Sequence, residues 1–279
     1  MTPRELLKLM AADMRDAGVP DAEIDASLLL SHITGQNPMN LRLDSWSQVS
    51  LADEEKLRAL CEKRKTRTPL QYLTGVQSFL GRDFYVDERV LIPRPETELL
   101  AERAIALLRE EKYSPTALDM CCGSGCLAVS MALGDPRAQV HAADLSEGAL
   151  AVTKLNADRL HARVTLHQGD LFDAVSIHQI YHVIVSNPPY IPAADCLELQ
   201  EEVRREPLMA LDGGTDGYDF YRRIAMDAPW FLQPGGTLLM EVGYGQAERV
   251  MALCKDAGLT PIAIHQDYQH IDRMVEARL

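Results

Sequence analysis

No stretch of this chain approaches the ~18 consecutive apolar residues that a membrane-spanning helix needs. The N-terminus has no long apolar core, and Arg4, Glu5 and Lys8 fall among its first residues, so no secretory leader and no membrane partner are expected. Positive charge is scarce: 28 Lys and Arg face 41 Asp and Glu, a formal net charge of −13. That balance repels a phosphate backbone and disfavours a general nucleic-acid binder unless a local basic patch overrides it. Cys-x-x-Cys is missing. Cys121, Cys122 and Cys126 cluster, but no second Cys/His pair follows at ligand spacing, so no metal is expected. Together with Cys61, Cys196 and Cys254 they read as the reduced thiols of a cytoplasmic protein.

What is present reads as two folded parts, and a chain of 279 residues needs no staples to close a core of that size. The first seventy residues are helical in pattern. Thr2-Pro3-Arg4-Glu5 is a capping box with proline at the first helical position, and Leu6, Leu7, Met10 and Met14 share one face before Gly18. A second helix is predicted from about Asp21 to Gly35 with Ile24, Leu28 and Leu29 inward, and a third from Ser50 with Leu57, Leu60 and Cys61 inward. The third ends in Lys63-Arg64-Lys65-Thr66-Arg67, which reads either as a solvated helix end suited to the dipole or as a partner contact. Phe79, Phe84, Tyr85, Val86 and Val90, broken by Gly75 and Gly81, predict a hairpin linker. Helix resumes at Pro95, and after Pro115 strands and helices alternate, the mark of a mostly parallel sheet covered on both faces. Strands are expected near 117–121, 139–144, 163–167, 181–186, 236–242, 261–266 and 273–278. Helices are expected near 124–133, 146–160, 217–231 and 246–257.

Three segments carry chemistry. Ala117–Gly125 is a strand running into Cys121-Cys122-Gly123-Ser124-Gly125 and then an apolar helix, a turn whose backbone N–H groups a ligand can approach. Twenty-one residues beyond Gly123, Asp144 closes the next strand, where an acid can hold both ribose hydroxyls of an adenosine. A tight turn with a helix N-cap would use the same residues. Ala128 stands where a dinucleotide site wants its last glycine, and no P-loop lysine is present. Asp119, expected at the mouth of the turn, would repel phosphate but suit an ammonium group, which favours S-adenosylmethionine. Asp170 follows the third strand and can take the adenine amino group, or simply be solvated. The fourth strand ends in Asn187-Pro188-Pro189-Tyr190. The Asn187 carboxamide oxygen and the Pro188 carbonyl can accept both hydrogens of a planar –NH2, and Tyr190 can stack on its flat face.

Those motifs, with Leu91–Glu98 upstream, Gln71–Gly75 in the linker, and Arg205-Glu206-Pro207 and Leu211–Gly217 after the fourth strand, resemble the HemK/PrmC-type protein methyltransferases over nearly the whole chain. The resemblance implies a seven-stranded Rossmann-like class I methyltransferase domain (93–279) behind a helical substrate-docking domain (1–70) and a hairpin linker (71–92). It implies methyl transfer from S-adenosylmethionine, leaving S-adenosylhomocysteine, to the glutamine of the Gly-Gly-Gln motif in class 1 peptide chain release factors. Carried over residue by residue, Cys121 to Gly125, Asp144 and Asn187 to Tyr190 form the site, with Asp119, Asp170 and Leu171 beside the cofactor and Arg94 and Glu96 at the rim. Two positions depart: Cys121 replaces a glycine, and Leu171 stands where an aromatic is frequent. Arg94 and Glu96 equally suit a proline-flanked helix start with an N-terminal acid. A cytoplasmic monomer without direct nucleic-acid contact is expected. The rivals are a ribosomal-protein glutamine methyltransferase, an adenine amino methyltransferase and a non-catalytic release-factor adapter.

Overall fold

A computed structural model describes residues 1–279, which fall into two compact units: Met1–Val76 with Gln200–Arg205, and Gln77–Leu199 with Glu206–Leu279.

The first unit holds α1 (Pro3–Asp16), α2 (Ala22–Thr34), α3 (Pro38–Leu43), α4 (Leu51–Lys65) and α5 (Leu70–Thr74). The capping box at Thr2 and Glu5 forms as the sequence indicates, and Leu6, Leu7, Met10 and Met14 are all buried. The inward face of α2 differs from the expectation. Ile24 and Leu28 are exposed, while Ala22, Asp25, Ala26, Leu29 and Leu30 point inward at helical spacing. Asp25 decides this: its carboxylate takes the Arg64 Nε–H at 2.7 Å, and the ion pair orients the helix in a way a count of apolar residues misses. Arg64 also lies 3.0 Å from Glu202, which Arg67 grips through two N–H groups. The Lys63–Arg67 cluster is therefore no uniformly solvated helix end. Arg64 continues the buried face of Leu57 and Cys61, and Lys65 pairs with Glu62. Burial pushes the Asp25 carboxyl above its ordinary value, whereas Arg67 and Arg64 hold that of Glu202 down at about 2 against burial.

The hairpin of β1 (Val76–Phe79), whose first residue ends the first unit, and β2 (Arg82–Tyr85) opens the second, followed by α6 (Pro95–Glu110). Then follow β3 (Thr116–Met120), α7 (Cys126–Gly134), β4 (Gln139–Asp144), α8 (Glu147–Arg159), β5 (Val164–Gln168), β6 (Tyr181–Ser186), α9 (Asp219–Asp227), β7 (Leu232–Glu241), α10 (Ala247–Asp256), β8 (Thr260–Gln266) and β9 (Asp272–Arg278), whose seven strands form one sheet. Its order is β5-β4-β3-β6-β7-β9-β8, parallel except for the antiparallel pairs of β9. The expected helix 217–231 is shorter because Pro229 interrupts it, and β7 begins earlier than expected.

Both faces are buried, and the two-residue period sorts the core. Leu118, Met120, Ile184, Leu238 and Met240 face one way with Tyr221 and Val250 of α9 and α10. Ala117, Val183, Val185 and Leu239 face the other way with α6 and α7 and with Phe79 and Phe84 of the hairpin. The chain order reverses between β3 and β6, the switch point at which an open parallel sheet leaves a crevice beyond its strand C-termini.

Candidate active site

At that switch point lies a cavity of about 410 Å³, within the ~300–1,000 Å³ of small-molecule sites. The ends of β3, β4 and β6 deliver Cys121, Asp144 and Asn187 to it, and Cys122, Gly123, Ser124, Asp170, Leu171, Pro189 and Arg94 line it as well. The elements predicted separately from sequence thus meet at one place.

The loop after β3 is held from several sides. Cys122 N–H donates to the Ala143 carbonyl, and Gly123 N–H to Asp144 Oδ2 at 2.9 Å. Thr153 Oγ1 donates to the Gly123 carbonyl at 2.9 Å, and Asn156 Nδ2 donates to that of Ser124. Gly125 does not line the cavity. It is the left-handed N-cap of α7, and a Cβ there would stand 2.6 Å from Thr153 Cγ2. Cys121, where the resembled family has glycine, adopts φ 64°, a conformation that costs a side-chain-bearing residue about 1–2 kcal/mol. Burial pushes the thiols of Cys121 and Cys122 up, and that of Cys126 to about 12, so all three stay protonated at neutral pH.

The acids divide. Asp144 accepts Gly123 N–H on one oxygen and Ser146 N–H on the other, both at 2.9 Å, which leaves a lone pair on each oxygen for a diol. Burial raises its carboxyl above the ordinary value, and those N–H groups offset only part of that rise. Asp119 is not at the mouth of the turn. It lies fully buried behind the loop, outside the cavity lining, because β3 turns it toward α7, where one oxygen takes Ala128 N–H at 2.9 Å. Its Oδ1 has no partner, and burial pushes the carboxyl to about 8, with Asp144 adding in the same sense. Asp170 reaches the lining, yet its carboxylate pairs with Arg223 at 2.8 Å. Leu171 packs its buried side chain into the core beside the cavity.

Beyond β6 the motif splits. Asn187 and Pro189 line the cavity; Pro188 is buried and outside the lining. Tyr190 also lies outside, its Cδ2 about 3.0 Å from where a Cβ on Gly243 would stand, with its carbonyl taken by Gln246 Nε2. Arg94 lines the cavity and donates to Glu206 Oε1 at 2.5 Å, while Glu96 faces Arg273 and does not.

Several groups were missed from sequence. Glu206 is buried and ties Arg94 to the Ile92 N–H. Thr97 lines the cavity and accepts Asn187 Nδ2–H at 3.2 Å, and its own hydroxyl donates to Glu241 Oε2 at 2.6 Å. An acid directly after the apolar run Leu238–Met240 at the end of β7 was the available signal for Glu241.

Comparison with known proteins shows the family. Residues 5–75 match the model of the PrmC N-terminal domain, and residues 97–204 match that of the methyltransferase small domain. The chain is similar to the release factor glutamine methyltransferase of Geobacter sulfurreducens, 42% identical over 279 residues, covering 100% of this chain and 97% of that one. It is also similar to the release factor glutamine methyltransferase of Chlorobaculum tepidum, at 40% identity, covering 96% and 94%. In fold it is like the T. thermophilus 16S rRNA N2 G1207 methyltransferase in complex with AdoMet and guanosine. That match has a TM-score of 0.53 and 16% identity, and covers 73% of this chain and 49% of the other.

Proposed function

Because the chain belongs to the release factor glutamine methyltransferase family, we propose that it methylates the side-chain amide nitrogen of the Gly-Gly-Gln glutamine in class 1 peptide chain release factors, using S-adenosylmethionine. The observation that carries the reading is one cavity in which the β3 loop, Asp144 and Asn187 converge from three strand ends.

The residues fit the cofactor. Asp144 keeps a lone pair on each oxygen for the ribose hydroxyls. Leu171 and Ala143 offer an apolar wall to the adenine. Asp170 stands at the rim for its amino group, in competition with Arg223. The Cys121–Ser124 stretch borders the methionine end, while Asp119, buried behind the loop and holding its proton, supports the loop and does not reach the ligand. Bound there, S-adenosylmethionine supplies an electrophilic methyl carbon carried on a sulfonium.

An amide nitrogen is a weak nucleophile, so orientation has to supply much of the rate. Asn187 gives its Nδ2 hydrogen to Thr97, which leaves Oδ1 to accept one hydrogen of the substrate –NH2. Pro188 itself is buried outside the lining, and its carbonyl, which leads into the cavity-lining Pro189, is the acceptor assigned to the second hydrogen. With both N–H bonds held, the nitrogen lone pair is aimed along one line. The proton leaves after alkylation, when the nitrogen is strongly acidic, so no general base has to act first. Tyr190 fixes the strand exit from behind, Pro189 shapes the wall, and Arg94, fastened by Glu206, borders the entrance near Glu96. Residues 1–70 dock the protein substrate, with Lys63 and the exposed end of α4 available to an acidic partner, in a cytoplasmic monomer without direct nucleic-acid contact.

Incubating the full chain with a class 1 release factor and methyl-labelled S-adenosylmethionine should place one methyl group on the Gly-Gly-Gln peptide, read by tandem mass spectrometry. Label on another residue, or none at all, would refute the assignment.

A further inference from the structure

We propose that Thr97 and Glu241 are positioning residues whose hydrogen-bond polarity decides which end of the Asn187 carboxamide meets the substrate. The inference rests on the reading of Asn187 as the substrate clamp. A carboxamide is nearly symmetric in shape, so its two flips pack alike and its hydrogen-bond partners choose between them. Thr97 Oγ1 has one proton, and it is committed to Glu241 Oε2 at 2.6 Å, because an ionised carboxylate only accepts. What remains at Thr97 is a lone pair. Asn187 therefore turns its –NH2 to Thr97, at 3.2 Å, and keeps Oδ1 for the substrate. Thr97 is 2% and Glu241 4% exposed, so water does not scramble the order. The two come from the first turn of α6 and the end of β7, 144 residues apart in the chain.

The same geometry makes the clamp sensitive to one proton. Burial pushes the Glu241 carboxyl up to about 7; the Thr97 hydrogen bond lowers it, Glu96 on α6 raises it, and Arg273 on β9 and Arg94 before α6 lower it. Tyr190, Cys126 and Tyr221 of α9 also face it, and burial keeps all three neutral. Once protonated, Glu241 can donate to Thr97, whose hydroxyl then donates to Asn187 Oδ1, and the clamp loses its acceptor. Activity is present above the Glu241 pKa and is lost as pH falls through it.

The test measures single-turnover methylation of a release factor by the full chain at saturating S-adenosylmethionine, with cofactor affinity by calorimetry. The wild-type rate should fall about tenfold between about pH 8 and about pH 6, following the ionised fraction of a group titrating near 7. Cofactor affinity should not follow it. Glu241→Gln, with no proton to gain, should flatten that limb. Thr97→Val should lose about tenfold in rate or more at unchanged cofactor affinity, Thr97→Ser should recover most of it, and Thr97→Val should cost nothing further in an Asn187→Ala background. Independently of any substrate, the Asn187 side-chain amide resonances should shift through about pH 7 in the wild type and stay fixed in Glu241→Gln. An additive loss in the Asn187→Ala background, or amide resonances that titrate equally in Glu241→Gln, would overturn the relay. A wild type that shows the titration yet leaves release factors unmethylated supports the relay and refutes the substrate assignment alone.

Discussion

Two glycines of the β3 loop should fail in opposite ways when given a methyl group. Gly125 sits at φ 77°, where a Cβ costs about 1–2 kcal/mol, partly offset by the ~0.4–1 kcal/mol that alanine saves by stiffening the unfolded chain. A Cβ at Gly125 would also stand 2.6 Å from Thr153 Cγ2 and 3.0 Å from its Oγ1. Thr153 is fully buried, and its hydroxyl holds the Gly123 carbonyl, so it cannot retreat without releasing the loop. Overpacking of this kind adds about 1–3 kcal/mol, and the net loss for Gly125→Ala should be roughly 2–3 kcal/mol. Gly123, at φ 53°, has nothing within 4 Å of its would-be Cβ, and it lines the cavity. Gly123→Ala should therefore cost roughly 1 kcal/mol or less of stability but weaken cofactor binding at least about tenfold, or 1.4 kcal/mol. Urea unfolding at unchanged slope measures the first quantity, and calorimetric titration with S-adenosylmethionine the second. Equal stability losses in the two variants, or full cofactor affinity in Gly123→Ala, would refute the reasoning.

Asp144→Ala should weaken S-adenosylmethionine binding at least about tenfold, because it removes the diol acceptor and also frees the Gly123 N–H it holds; unchanged affinity by calorimetry would remove Asp144 from the site. Asp119 carries a carboxyl raised to about 8 by burial. A group that holds its proton more tightly when folded stabilises fully below its unfolded pKa of about 4, and that contribution is lost as pH rises toward 8. Thermal melts of the ligand-free chain should thus show stability falling between about pH 5 and about pH 8, and a shallower fall in Asp119→Asn. Identical slopes would mean that Asp119 is ionised in the fold.

The strands and their chemistry were legible because parallel strands announce themselves as apolar runs and the motifs sit at their ends. Tyr181–Ser186 falls where the pattern puts it, and so does the crevice that gathers Cys121, Asp144 and Asn187. Depth was not legible. Asp119 reads as a loop-mouth acid because position along the chain says nothing of how β3 turns its side chain, and the structure puts it behind the loop. Polar pairings across long sequence separations were equally hidden. The Asp25–Arg64 bond turned α2 away from its apparent apolar face, and Thr97–Glu241 joins two residues that belong to no common motif.

The central claim is that Asn187 works by holding the substrate nitrogen rather than by shaping the strand exit. The direct measurement is the single-turnover methylation rate of a release factor by Asn187→Ala at saturating S-adenosylmethionine, alongside its cofactor affinity and unfolding midpoint. The rate should be at least about a hundredfold lower, as lost orientation commonly costs, with affinity and stability nearly unchanged, and Asn187→Asp, which keeps an acceptor of the same size, should retain more rate than alanine. Near-normal turnover by Asn187→Ala would contradict the claim and return Asn187 to the role of a turn residue.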